Sequence, residues 1–302
     1  MNYRTPLKHH FSTKKGWIND PNGLVYFNGY YHLFFQHHPY NQYWGDMYWG
    51  HARSKDLVHW EQLPICVFPD ENGYAWSGSA RVYHKGENPE IDKWFKNDSG
   101  LIAFYTRDGG RQDQVIMSSD DEGMSWTKHE EYVIPQGIVG IHDRKISCRD
   151  PKVFQVERAG GKIWGMVIAN MEDNQVYLLQ SEDMLHWEYA SGFTVFRPEC
   201  VDVVYLTADD NTSHTVLTFE GREYLVGEFK YDEVNKEIYF EKYNKNGGID
   251  IRNLTIEQVG APKMDFGPDS YATQSFYIDD EASKYYGKTI SISCLYLFFH
   301  IV

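Results

Sequence analysis

Three of the 43 acidic residues stand in settings that could do chemistry. Asp20 is wedged between Asn19 and Pro21 in Trp17-Ile18-Asn19-Asp20-Pro21-Asn22-Gly23, just ahead of a β-forming run. That setting fixes a carboxylate on a turn, although an ordinary Asx turn has the same composition. Asp150 follows Arg149 in Cys148-Arg149-Asp150-Pro151. The neighbouring cation favours an ionised carboxylate. The pair offers donors and acceptors suited to adjacent hydroxyls on a sugar ring. A structural ion pair at a strand end would read the same way. Glu199 lies in Arg197-Pro198-Glu199-Cys200-Val201-Asp202, ahead of an apolar run at 203–206. Partial desolvation there would raise its pKa, as a general acid requires. A surface Glu at a strand end is the bland alternative. None of the three decides anything alone; what matters is whether the fold brings them together.

The elements that must position them read as strands. Short β-rich runs recur at 24–27, 30–35, 101–105, 114–118, 163–169, 176–179, 203–206, 215–219 and 224–229. Asn28-Gly29 and Gly109-Gly110 punctuate them, the pattern of antiparallel hairpins. A motif also repeats. Ser54, Asp56 and Trp60 have the spacing of Ser181, Asp183 and Trp187, and Ser119, Asp121 and Trp126 repeat it with one extra residue. The tryptophans are 66 and 61 residues apart. Each copy follows a β run, as expected of a turn whose Ser and Asp bond local backbone. A period near sixty residues suits one four-stranded blade per repeat, and the chain length then gives about five blades. The expected fold is an all-β, five-bladed β-propeller. In such a fold, carboxylates from different repeats meet in a funnel at one end of the axis.

Composition narrows the partner. The formal charge of −14 argues against nucleic acid or an anionic membrane and favours a neutral substrate. Aromatic residues make up 16% of the chain; most should fill sheet cores, and exposed ones suit the C–H faces of sugars. The four cysteines have neither CxxC pairing nor disulfide-framework density and read as free thiols. The polar segment 1–11 has no signal-peptide character, and no run is long enough to span a membrane. His9-His10 and His37-His38 lack a metal-ligand pattern, so no metal is expected.

Taken in order and spacing, the motifs resemble glycoside hydrolase family 32: the invertases, exo-inulinases and levanases. The resemblance runs from His10 to about Ser293. It rests on Trp17–Gly23, Phe34-Phe35-Gln36, Trp44-Gly45, Trp49-Gly50-His51-Ala52, Ser54–Trp60, Trp76-Ser77-Gly78-Ser79, Arg149-Asp150-Pro151-Lys152-Val153, Glu199-Cys200 and Asp265–Ala272. It implies a β-fructofuranosidase acting on sucrose, inulin or levan, with Asp20 as nucleophile, Glu199 as general acid/base and Asp150 as transition-state stabiliser. Asn19, Gln36, Trp44, Trp76, Ser77 and Arg149 would complete the fructose subsite. No cofactor is expected, because two carboxylates supply both charge and proton transfer. Fructosyl transfer through the same intermediate is the alternative within the enzyme class, and a non-catalytic fructan-binding propeller is the alternative outside it.

Two departures stand against the family pattern. Pro198 precedes the Glu-Cys pair and Val201 follows it, where relatives commonly have Trp and Pro. Relatives also continue into a C-terminal β-sandwich, whereas this sequence stops at Val302. The expectation is therefore a propeller over 1–293 with an incomplete last blade, then an atypical apolar tail at 294–302 from a truncation or a gene-model error.

Overall fold

The computed structural model describes residues 10–139, 147–264 and 270–295. They form an all-β propeller. The first blade holds β1 (Trp17–Phe27), β2 (Tyr30–His38), β3 (Tyr48–Ser54) and β4 (Trp60–Val67) in sequence order. The second holds β5 (Tyr74–His84), β6 (Ser99–Asp108), β7 (Gln112–Ser119) and β8 (Thr127–Lys128). The third holds β9 (Cys148–Arg158), β10 (Gly161–Asn170), β11 (Gln175–Ser181) and β12 (Glu188–Thr194). The fourth has five strands: β13 (Asp202–Thr207), β14 (Ser213–Phe219), β15 (Glu223–Asp232), β16 (Glu237–Asn244) and β17 (Gly247–Asp250). A two-stranded sheet follows, β18 (Ser270–Tyr277) with β19 (Thr289–Leu295). Every pairing is an antiparallel meander between chain neighbours, which short polar turns favour.

Four blades are thus complete among the described residues. The only further sheet among them is the pair β18–β19, so the fifth blade expected from the repeat length is not complete there. β19 itself runs through Cys294 and Leu295, which pair with Tyr271 and Ser270. The rest of the expected tail, 296–302, lies outside the described residues.

The motif repeat marks the same corner of three blades. Its copies join β3 to β4, β7 to β8 and β11 to β12. In the first, Asp56 Oδ1 accepts from the backbone N–H groups of Val58 and His59 at 2.9 and 2.7 Å. In the third, Asp183 Oδ1 accepts from Leu185 and His186, both at 2.8 Å. The tryptophan indoles close the turns onto the carbonyls of Leu57 and Met184. The fourth blade keeps the carboxylate alone: Asp232 accepts from Val234 and Asn235.

Apolar residues sit between sheets, as stacked blades require. Val25, Phe34 and Trp49 of the first blade pack on Leu101, Ala103 and Tyr105 of the second. Phe104 and Ile116 meet Met166 and Ile168 of the third. Phe154 and Leu178 meet Leu217 and Phe240 of the fourth. Phe276 and Ile278 return to Leu33 and Phe35 of the first. The first strands of successive sheets lie side by side, and β18 lies beside both β13 and β1. Lys152 of β9 ties part of this ring together, pairing with the fully buried Asp202 of β13 at 2.9 Å. It also donates to the Ser275 carbonyl of β18 at 2.5 Å.

Candidate active site

The strands nearest the axis are irregular where the chemistry-bearing residues sit. Register in β1 breaks between Ile18 and Pro21, around Asn19 and Asp20. In β5 it breaks between Ala75 and Gly78, around Trp76 and Ser77. In the pairing of β9 with β10 it breaks opposite Asp150, and in β18 between Tyr271 and Gln274. A bulge bends its strand and re-aims side chains that the two-residue period would send elsewhere. Asp20 therefore lies inside a strand and not on the turn its composition suggested. Pro21 and Pro151 are compatible with this, because each belongs to the free edge of its sheet, where no ladder N–H is needed. Asp150 and Cys200 have φ of 64° and 51°, a left-handed conformation that costs a non-glycine residue.

Cys200 joins the acids. Its backbone N–H donates to Asp150 Oδ2 at 2.8 Å, and its thiol lies 3.7 Å from Asp20 Oδ2. Glu199 is the preceding residue, its carbonyl accepting from the Glu220 N–H at 2.7 Å. Asp20, Asp150 and Glu199, drawn from β1, β9 and the entry to β13, thus share one locus, with the two aspartates buried and Glu199 half-buried. Ser77 donates to Asp20 Oδ2 at 2.6 Å and Asn19 to Oδ1 at 3.0 Å. Trp17 fixes Asn19 through an indole N–H at 2.8 Å. The N–H of Asp150 donates to Thr106 Oγ1 at 3.1 Å.

Arg149 takes a different partner from the one its position suggests. It pairs with Glu199, Nε to Oε1 at 3.2 Å with a second contact from Nη2, and its Nη1 donates to Ser147 at 2.6 Å. Glu199 is half-buried and ion-paired, not sealed in an apolar pocket. Asp150 carries the desolvation instead. Burial pushes its carboxyl up to about 7, outweighing the lowering by the Arg149 charge, while Asp20 and Glu199 push the same way as burial. Burial also raises Asp20, against the pull of the Ser77 and Asn19 donors. Burial, and after it the charge of Asp20, lifts the Cys200 thiol well above its ordinary range, so it stands there as S–H.

The remaining expected residues surround this centre. Trp44 is exposed and meets Trp76 edge-on, with ring centroids 5.9 Å apart. The Arg149 guanidinium lies 5.9 Å from the Trp76 ring centroid. Gln36 is buried and donates to the Ala75 carbonyl at 3.0 Å, bracing the strand that carries Trp76 and Ser77. Three contributors had no role in the sequence reading: Cys200, Thr106 and Tyr271. Cys200 was visible as the partner of Glu199 in a motif, and Tyr271, which faces the Cys200 thiol, belongs to the motif 265–272. Residues 265–269 of that motif lie outside the described residues. Thr106 carries no local signal; only blade packing brings it to Asp150.

The profile of the Glycosyl hydrolases family 32 N-terminal domain matches residues 10–291. The chain belongs to glycosyl hydrolase family 32. Among relatives in the family, Fructan beta-fructosidase of Streptococcus mutans is 35% identical over 273 residues, covering 90% of this chain and 17% of that protein. Levanase of Bacillus subtilis is 38% identical over 242 residues, covering 74% and 34%. Among solved structures of the family, fructofuranosidase from Schwanniomyces occidentalis complexed with fructose superposes with a TM-score of 0.69 at 26% identity, covering 96% of this chain and 54% of that one. Fructan 1-exohydrolase IIa from Cichorium intybus gives 0.67 at 26% identity, covering 96% and 53%. The chain spans about half the length of these solved family 32 enzymes, and less of the two curated relatives.

Proposed function

We propose that this chain carries the catalytic propeller of a retaining β-fructofuranosidase, which releases terminal fructose from sucrose or fructans. One observation carries the reading: carboxylates from β1, from β9 and from the entry to β13 gather around Cys200, beside hydrogen-bond donors and a Trp44–Trp76 aromatic wall. Asp20 acts as nucleophile. Ser77 and Asn19 hold its two oxygens, so one lone pair is directed at the anomeric carbon. Glu199 protonates the departing glycosidic oxygen as that bond breaks and the Asp20 ester forms. Glu199 then takes a proton from water, whose oxygen attacks the same carbon and frees Asp20. Asp150 accepts hydrogen bonds from fructose hydroxyls and stabilises the oxocarbenium-like transition state. No metal or organic cofactor enters these steps. We also read β18–β19 as the inner half of a fifth blade, a reading supported by the position of β18 between β13 and β1.

The test is product analysis by NMR on the full chain with sucrose and inulin. Early release of fructose as the β-furanose anomer is expected. Release of the α-anomer would make the mechanism inverting, and the absence of fructose from both sugars would remove the proposed activity.

A further inference from the structure

Beside the carboxylate centre, the first blade and its link to the second present aromatic rings that no core claims. Tyr40 and Tyr43 are about three-quarters exposed on the loop between β2 and β3. Phe68, on the connection into β5, and Tyr74, the first residue of β5, are also exposed. Tyr48 connects two of these rings. Tyr40 meets Tyr48 edge-on at 5.9 Å, and Tyr48 meets Phe68 at 5.8 Å. Asp46 lies beside the Tyr74 hydroxyl and pushes its pKa up.

Both loops are pinned. His38 Nδ1 lies 3.1 Å from the Tyr43 carbonyl, and Gly45 packs so closely on the His38 ring that a Cβ would come within 2.6 Å of it. Met47 is buried, and its carbonyl accepts from Ala75 at 3.1 Å. Lys128 holds the other loop, donating to the Phe68 carbonyl at 2.9 Å and pairing with Asp70. Rings held this way lose little freedom when something stacks on them.

We infer that Tyr40, Tyr48, Phe68 and Tyr74 form a preformed shelf that binds the body of a neutral fructan chain while its terminal sugar sits at the carboxylates. This rests on the fructosidase reading above. The occupant follows from three observations. Tyr74 stands two residues before Trp76 on β5, so the shelf adjoins the site. Aromatic faces with a hydroxyl at the rim match the alternating C–H faces and hydroxyls of a polyol. Asp46 at the shelf and a chain charge of −14 disfavour an anionic polymer.

The test compares Tyr40→Ala/Phe68→Ala and Tyr74→Ala with the parent chain on inulin and on sucrose. The expected result is a loss of about fivefold to tenfold in kcat/KM on inulin, with sucrose turnover unchanged. Retardation in gels containing inulin, measured on an Asp20→Ala background, should fall in parallel. The two readings fail separately. If the parent chain cleaves neither sugar, the fructosidase reading falls, while loss of gel retardation in the shelf variants would still support the shelf. Equal losses on both sugars, or unchanged inulin turnover and retardation, would overturn the shelf. So would size-exclusion chromatography showing a dimer that the same substitutions dissociate, because the rings would then cover a second copy.

Discussion

The inner-strand aspartates and the outer-turn aspartates are the same residue put to opposite uses. Asp183 sits in a tight turn. Burial is the largest single influence and pushes its carboxyl up, but His186, two backbone N–H groups and Ser181 together pull it below the usual range. Asp56 is held low in the same way, first by the His59 N–H. These carboxylates are satisfied, and they stabilise the blade corner by being charged. Asp20 and Asp150 are buried in bulged strands among other acids, and both are pushed up. Around neutral pH their charge costs the fold free energy, which other contacts of the propeller must offset. The difference teaches where to look for chemistry in this molecule: at carboxylates whose surroundings fail to stabilise them.

The sharpest way to break this comparison is to remove the proposed reacting groups. Asp20→Ala should lower turnover on sucrose by about 10⁴-fold or more. Glu199→Ala should lower it by about 10²–10⁴-fold and recover with aryl fructosides, whose leaving group needs no proton. Steady-state rates on both substrates check this, and preferential aryl rescue of Asp20→Ala would exchange the two roles.

A smaller effect appears in stability. Asp150 binds its proton more tightly folded than unfolded, so stability falls as pH rises from about 4 towards 7. Asp150→Asn removes that penalty and keeps an oxygen to accept the Cys200 N–H. The variant should gain about 2–4 kcal/mol against urea at pH 8, and little near pH 4, while losing turnover. Equal stability of the two proteins at pH 8 would mean that the carboxylate is not strained there.

The smallest effect belongs to the outer turn. Asp183→Ala leaves two backbone donors without their acceptor and should destabilise by about 1–2 kcal/mol, with kcat on sucrose unchanged. Urea melts and sucrose assays report the two quantities. A fall in kcat would tie the blade corner to the site and blur the contrast.

The same division decides what could be read from the sequence. The turn motif was legible because its chemistry is local: Ser, Asp and Trp bond backbone within a few residues, so spacing alone reveals them. In the fourth blade Asp232 performs the same task without the Ser or the Trp, and identity matching passed over it. The three acids were legible through the motifs around them, but their geometry was not. A bulge depends on the partner strand, so nothing near Asp20 distinguished a bulged strand from an Asx turn. Adjacency did reveal that the Arg149 charge acts on Asp150, but not that its hydrogen bonds go to Glu199. Glu199, fifty positions on, accepts them only because the third and fourth blades meet there. Val201, which looked like a departure at the site, belongs to the core between the third and fourth blades.

The position of β18 between β13 and β1 also sets an order in time. Each blade is a local meander and can form soon after its residues leave the ribosome. The join between the last inner strand and the first cannot. Tyr31, in the second strand, hydrogen-bonds Ser283, 252 residues later. At ordinary synthesis rates that interval lasts roughly 10–50 s. Through it, β1 waits with one flank uncovered and Asp20 open to water. The environment that perturbs Asp20 is therefore among the last parts of the molecule to be built, and a nascent chain should resist protease at its first blades well before its three carboxylates are gathered.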